Sequence, residues 1–304
     1  MAAAEPPPAL HLRRDAVRDG WSDDELGRLV RSGELSRLRR GAYVDGTLPS
    51  DAAASHALLV RATLAGLRRP AVVSHQSAAV LLGLPLWDVP LDRVHVTRRP
   101  GAWNDSGRLL CCHVARLGDD EVVEVDGAVV TSPVRTALDF ARSLPHEAAV
   151  VSLDAALRLG LVGHDALRTR LLDIAGTPGS RSAARAVHAA DGRSGSVGES
   201  RSRVILNRWK LPPSALQFEV RSGAGRLIGR TDFAWEEHRL VGEFDRRVKY
   251  GRFRRPGEDA GDAVFREKGR EDSIRDEGWG VVRWTWSDLR QPHRVAARVR
   301  RRMR

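Results

Sequence analysis

The stretch GRTDFAWEEHRLVGEFD, residues 229–245, decides how this 304-residue chain is read. Two alternating runs, 229–235 and 239–245, flank Glu236, Glu237 and His238, which predicts a pair of strands joined by a short loop. Side chains along a strand alternate faces, so Glu243 and Asp245 share one face while Leu240 and Phe244 take the other. A two-residue loop pairs Asp232 with Val241 and puts Glu243 diagonally across; a four-residue loop pairs Asp232 directly with Glu243. Either even loop gathers Asp232, Glu243 and Asp245 on one face, within about 5–8 Å of each other. Phe233 and Trp235 then join Leu240 and Phe244 on the core face, and an odd loop would bury charge among them.

Three crowded carboxylates repel one another unless a cation sits among them. One reading supplies a magnesium ion, which takes oxygen ligands and can activate water against a phosphodiester. The other supplies Arg230, on the same face, and Arg270, from the helix that follows, as plain salt bridges. Working outward, Ser196 to Trp209 reads as a helix with Glu199 near its start, and Leu216 to Val220 as a strand. A long helix spans Ala263 to Glu277 and stops at Gly278, a strand covers Gly280 to Thr285, and a basic helix closes the chain. The order is α-β-β-β-α-β-α, and five of the eight tryptophans (Trp209, Trp235, Trp279, Trp284, Trp286) lie in this last third. The basic helix, with Arg294, Arg298, Arg300, Arg301, Arg302 and Arg304, reads either as a phosphate-facing row or as a solvated face.

At the other end, residues 9–46 show a short helix from Arg13 to Asp19 and a second helix capped by Ser22, with Glu25 three residues on. Leu35 to Leu38 and Ala42 to Val44 follow as a hairpin around Arg39, Arg40 and Gly41. Helix, turn, helix and basic wing is the order of a small winged DNA-binding module. Residues 50–175 alternate helices (Ser55 to Leu67, Ser77 to Leu82, Pro133 to Ser143, Glu147 to Leu159, His164 to Ile174) with strands, the hairpin from Glu121 to Thr131 turning on Asp126 and Gly127. His75 and His95 read there as lone packing or hydrogen-bonding residues and Asp139 as a local bridge. Gly- and Pro-rich sequence marks 176–194 as a linker region, and 195–304 as the last domain.

The net charge is +11, carried by 47 arginines and three lysines against 39 acids, which nominates nucleic acid without establishing it. Adjacent Cys111 and Cys112 cannot build a disulfide framework, and no paired Cys/His spacing suggests structural zinc. The N-terminal sequence does not read as a signal peptide, and Val72 to Leu91 carries too many polar residues and prolines for a membrane span. These features predict a soluble cytoplasmic protein of mixed α/β class with no membrane partner.

Two resemblances add to this reading. GSVGESRSRVIL, TDFAWEEHRLVGEFDRRVKYG and EKGREDSIRDEGWGVVRWTW, in that order over residues 195–290, resemble a bacterial domain family similar to the very short patch repair endonucleases of the PD-(D/E)xK superfamily. That resemblance implies a restriction-endonuclease-like α-β-β-β-α-β core, with Asp232 and Glu243 as magnesium ligands and Glu199 as the acid of the first helix. Asp245 stands where the superfamily usually has lysine, which leaves Lys249 to supply the cation, with Lys268 a weaker candidate. WSDDELGRLVRSGELSRLRRGAYV, VVSHQSAAVLLGLPL and VTSPVRTALDFAR, over residues 10–175, resemble antitoxins of the abortive-infection type IV toxin–antitoxin systems. This implies a winged helix-turn-helix with Arg28, Arg31, Arg37, Arg39 and Arg40 on DNA, and a cognate toxin as a further partner. Together the resemblances imply a DNA-binding, magnesium-dependent endonuclease, or else a non-enzymatic repressor with a degenerate nuclease-like domain.

Overall fold

The computed structural model describes residues 8–101, 106–245 and 260–303, with side chains for all of these but 260–264. The protein is a mixed α+β structure, with three sheets among the described residues, and it divides into two compact units, Met1–Leu144 and Pro145–Arg304.

In the first unit, β1 (Leu10–Leu12) leads into α1 (Arg13–Arg18) and α2 (Asp23–Ser32). Ser22 caps α2 by accepting from the Glu25 N–H at 3.1 Å, and Gly33 ends it at φ 81°, a backbone state that glycine takes without strain. A hairpin follows as β2 (Leu35–Arg39) and β3 (Ala42–Asp45), antiparallel, with β1 on the far side of β3. Leu26 and Leu35, both buried, pack beneath it. Then come α3 (Ala52–Gly66), β4 (Val72–Val73), α4 (His75–Leu81), β5 (Val94–Arg98), β6 (Leu110–Val114), β7 (Val122–Val125), β8 (Ala128–Thr131) and α5 (Pro133–Ser143). These strands form a second sheet in the order β6-β5-β4-β8-β7. Asp126 and Gly127 both take positive φ, as a tight hairpin turn demands.

His56 is enclosed here at 2% exposure. Its Nδ1 lies 2.8 Å from the Leu91 carbonyl and its Nε2 2.8 Å from Ser77 Oγ, which in turn accepts from the His95 N–H. That arrangement holds a neutral ring with the proton on Nδ1. Burial pushes its pKa below the ordinary histidine value, against the pull of the Leu91 carbonyl and Asp92. The unfolded chain therefore takes up the proton first, so this stabilisation is complete above about pH 6.5 and falls away below it, by at most about 1.4 kcal/mol per pH unit. Thermal melts from pH 7.5 to 5 should drop less steeply for His56→Asn than for the parent; equal slopes would refute the assignment.

The second unit begins with α6 (His146–Arg158), α7 (His164–Asp173) and α8 (Ser180–Ala189), continues through α9 (Val197–Arg208), β9 (Ala215–Arg221), β10 (Leu227–Trp235) and β11 (Leu240–Asp245), and ends with α10 (Ala260–Asp276), β12 (Gly280–Thr285), α11 (Trp286–Leu289) and α12 (Pro292–Arg302). The sheet runs β12-β11-β10-β9, antiparallel except for the parallel pair of β11 and β12. Phe233, Trp235, Leu240, Phe244 and Trp284 form its main core with Ile205, Leu206 and the apolar side of α12. Ala234, Val241 and Ile274 of α10 cover the opposite face.

The expected boundaries differ from this division. The segment 176–194 is no free linker: it contains α8, and its end is fixed to α6 by the Asp191 N–H, which donates to Asp154 at 2.7 Å. Asp154, 1% exposed on α6, accepts two bonds of 2.7–2.8 Å from Arg203 of α9. Arg203 also donates to the Ala189 carbonyl. A buried ion pair with these partners makes α6 to α8 part of the same body as α9, and glycines that read as linker residues are turns within it.

Candidate functional site

The hairpin of β10 and β11 has the four-residue form. Trp235 pairs with Leu240, Ala234 with Val241 and Phe233 with Gly242, and the ladder ends there, one position short of Asp232 and Glu243. Asp232 Oδ2 accepts from the Phe244 N–H at 2.7 Å. Asp232, Glu243 and Asp245 lie half-buried on the face that α10 covers, as strand parity predicts.

Glu243 is already matched by guanidinium groups. Arg270 of α10 lies 2.6 Å from one carboxylate oxygen and Arg283 of β12 lies 2.9 Å from the other. Glu267 bridges the same two arginines at 2.7 and 2.5 Å, and Glu271 meets Arg283 at 3.1 Å. Burial opposes the ionised form of Glu267, but its bonds to Arg270 and the charge of Arg283 hold its pKa below the usual carboxylate range. Arg230 is exposed, and only its carbonyl meets Arg270.

Glu199 sits one turn into α9, 3% exposed, and closes on its own helix end. It accepts from the Gly195 N–H at 2.7 Å and the Ser196 hydroxyl at 2.8 Å, while Gln217 of β9 donates to it at 2.8 Å. Gln217 holds φ 52°, a strained value for a residue with a side chain. Among the described residues, no three of Glu199, Asp232, Glu243 and Asp245 bring ligand oxygens within 4.8 Å of one another. A magnesium ion needs oxygens that are not spent on other cations, and the Glu243 oxygens are held by two arginines. As arranged, the set does not fit the ion. Lys249, with Arg246, lies outside the described residues; Lys268 is on α10.

Arg28 and Arg31 of α2, and Arg37 and Arg40 of the β2–β3 hairpin, are exposed. Arg28 and Arg31 stand three apart on α2, so they share a face. Arg28 has only a loose contact with Glu25 at 3.8 Å. Arg39 is different: it folds inward, donating to the Ala62 carbonyl of α3 at 2.5 Å and to the Arg40 carbonyl at 3.0 Å. Its expected place among the DNA contacts is corrected to a tie between the hairpin and α3. On α12, Arg298 bonds the Arg283 carbonyl and Asp288, and Arg300 bonds the Trp209 carbonyl and lies over that ring. Arg294, Arg301 and Arg302 are exposed, and Arg304 lies outside the described residues.

The histidines of the first unit are not lone residues. His75, His95 and His113 bring ring nitrogens within 4.8 Å of one another, the one such group among the described residues. His75 and His113 stack at 3.7 Å, and His95 Nδ1 lies 3.0 Å from His113 Nε2. Cys111 Sγ is 3.6 Å from the same His113 nitrogen, and Asp139 is 3.8 Å from His75 Nδ1. The spacing Cys111-x-His113 on a strand was the one sequence signal available, since it places both side chains on one face.

No family model matches the chain. Two curated relatives from Mycobacterium tuberculosis, the uncharacterized proteins MT2308 (strain CDC 1551 / Oshkosh) and Rv2248 (strain ATCC 25618 / H37Rv), are each 32% identical over 179 residues. The match takes in 58% of this chain and 62% of theirs, so the chain spans less than two thirds of the length of the relatives it matches. Among solved structures, the RV2827C protein of Mycobacterium tuberculosis is similar at 16% identity and a TM-score of 0.40, over 64% of this chain and 75% of that one; a likeness this slight carries no argument. Among the described residues, no helix is long and apolar enough to cross a membrane.

Proposed function

We propose that this chain is a DNA-binding protein that acts by binding rather than by cleavage, a repressor or antitoxin whose last domain is a nuclease-like relict. The observation that carries the reading is the two-arginine grip on Glu243, which fills with guanidinium the place a metal would need. Arg28, Arg31, Arg37 and Arg40 supply the basic surface, and such contacts to phosphate give affinity with little sequence choice. A cognate toxin is a further partner on this reading.

Fluorescence anisotropy with duplex DNA at several salt concentrations tests the binding. Replacing Arg28, Arg31, Arg37 and Arg40 by alanine should weaken it at least tenfold and flatten its salt dependence, whereas Arg39→Ala should act mainly on stability. Unchanged affinity in the four-fold variant would refute the assignment of the wing.

A hydrolase is the second reading, favoured by one observation: Asp232, Glu243 and Asp245 lie half-buried on one face of the sheet, where the β10–β11 ladder ends. The two separate on plasmid, nicked and mismatched DNA with magnesium. The binding reading expects no cleavage. Magnesium-dependent cleavage that disappears in both Asp232→Ala and Glu243→Ala would overturn it and establish the hydrolase.

A further inference from the structure

We propose that His75, His95 and His113 form a binding site for a divalent transition metal, zinc foremost, with the fourth position left to solvent. The three imidazoles arrive from three elements, the start of α4, β5 and β6, and meet although nothing in the local sequence joins them. The parallel register of β5 and β6 sets His95 opposite Cys111 and Thr97 opposite His113, so His95, Cys111 and His113 share one face. The alternate residues Val94, Val96 and Cys112 go to the apolar core instead.

The spacings suit a tetrahedral ion. Zinc at about 2.0–2.1 Å from nitrogen holds its donors roughly 3.3 Å apart. His95 Nδ1 and His113 Nε2 are 3.0 Å apart. His75 is the third donor, with a ring nitrogen within 4.8 Å of the other two and its ring stacked on His113, so loading the ion turns one of these rings. Three imidazoles with a fourth position open to water are a zinc ligand set.

The surroundings prepare the ligands. The Gln76 amide nitrogen lies 2.7 Å from His95 Nε2 and donates to it as placed. Turning the amide end over presents its oxygen instead, gives Nε2–H an acceptor and leaves Nδ1 with a lone pair toward His113; partners of this kind orient metal-bound histidines. His75 Nδ1 lies 3.1 Å from Ser74 Oγ, with the buried carboxylate of Asp139 at 3.8 Å. Arg135, the cation closest to that carboxylate, is neutralised by Asp139 and Glu121 at 3.1 and 3.3 Å.

Cobalt(II) titration of the chelator-stripped full chain tests the site. One equivalent should bind, giving the visible bands of tetrahedral cobalt, and zinc should displace it. His95→Gln and His113→Gln should each weaken cobalt at least about a hundredfold. His56→Asn, which alters a buried imidazole outside the group, should leave cobalt affinity unchanged. Because a ligand variant can fail to fold, circular dichroism accompanies each, and the parent's melting temperature should rise with one equivalent of zinc. No visible spectrum from the folded parent at tenfold cobalt excess, or undiminished affinity in the folded His95→Gln/His113→Gln variant, would overturn the proposal.

Discussion

Asp154→Ala should cost the second unit about 3–5 kcal/mol, because it leaves the Arg203 guanidinium charged in a place that water barely reaches. Arg203 is 6% exposed, and three of its contacts, to Asp154, Ala189 and Ser194, tie α9 to α6 and to the end of α8. At roughly 2–4 °C per kcal/mol for a unit of this size, a calorimetric scan should show the melting temperature lowered by about 10 °C or more. The loss measures the stranded charge rather than the worth of the pair. An apolar double replacement, Asp154→Leu with Arg203→Met, should therefore recover most of it. A single variant within about 1 kcal/mol of the parent would show that water reaches the pair and would refute the account of this interior.

The second large effect comes from shape. A Cβ placed on Gly198 would stand 1.9 Å from a ring carbon of Phe244, a separation no side chain survives. Phe244 cannot yield cheaply: it is 5% exposed and meets Trp286 edge-on at 5.1 Å. Gly198→Ala should cost about 3 kcal/mol, the upper part of the range for overpacked cores. It should also disturb what flanks the contact, since Glu199 is the next residue on α9 and the Phe244 N–H is the donor to Asp232. Chemical denaturation of Gly198→Ala, Phe244→Leu and the double variant forms a cycle. The double variant should be clearly more stable than the sum of the singles implies. Simple additivity would place the strain elsewhere.

Much of this structure was legible in short-range pattern. The parity of residues 229–245 separated Phe233, Trp235, Leu240 and Phe244 from the acids, and left only the loop length open; pairing of Trp235 with Leu240 settles it as four residues. Ser22 and Gly33 marked the ends of α2, and Asp126 with Gly127 marked a hairpin, since those signals act within a few residues. What stayed hidden depends on partners distant in the chain. β1 is three residues long, and only its pairing with β3 makes it a strand. Arg39 looked like its neighbours on the wing until α3 supplied a carbonyl 23 residues later. His75, His95 and His113 are spaced too widely to read as a set. Arg270 was named in advance as a salt-bridge partner of the acids, but Arg283, its companion on Glu243, was not.

The ion pair between α6 and α9 also says where this protein can be divided by recombination. A gene fusion that joins the last domain at residue 195 would inherit Arg203 without Asp154, and with it an uncompensated charge in the new protein's interior. A junction at Pro145 carries both halves of the pair, together with Glu147, the 2.7 Å partner of Arg201. The portable module therefore begins some fifty residues before the motifs that resemble a nuclease, and its leading helices travel with it as part of its heritable core.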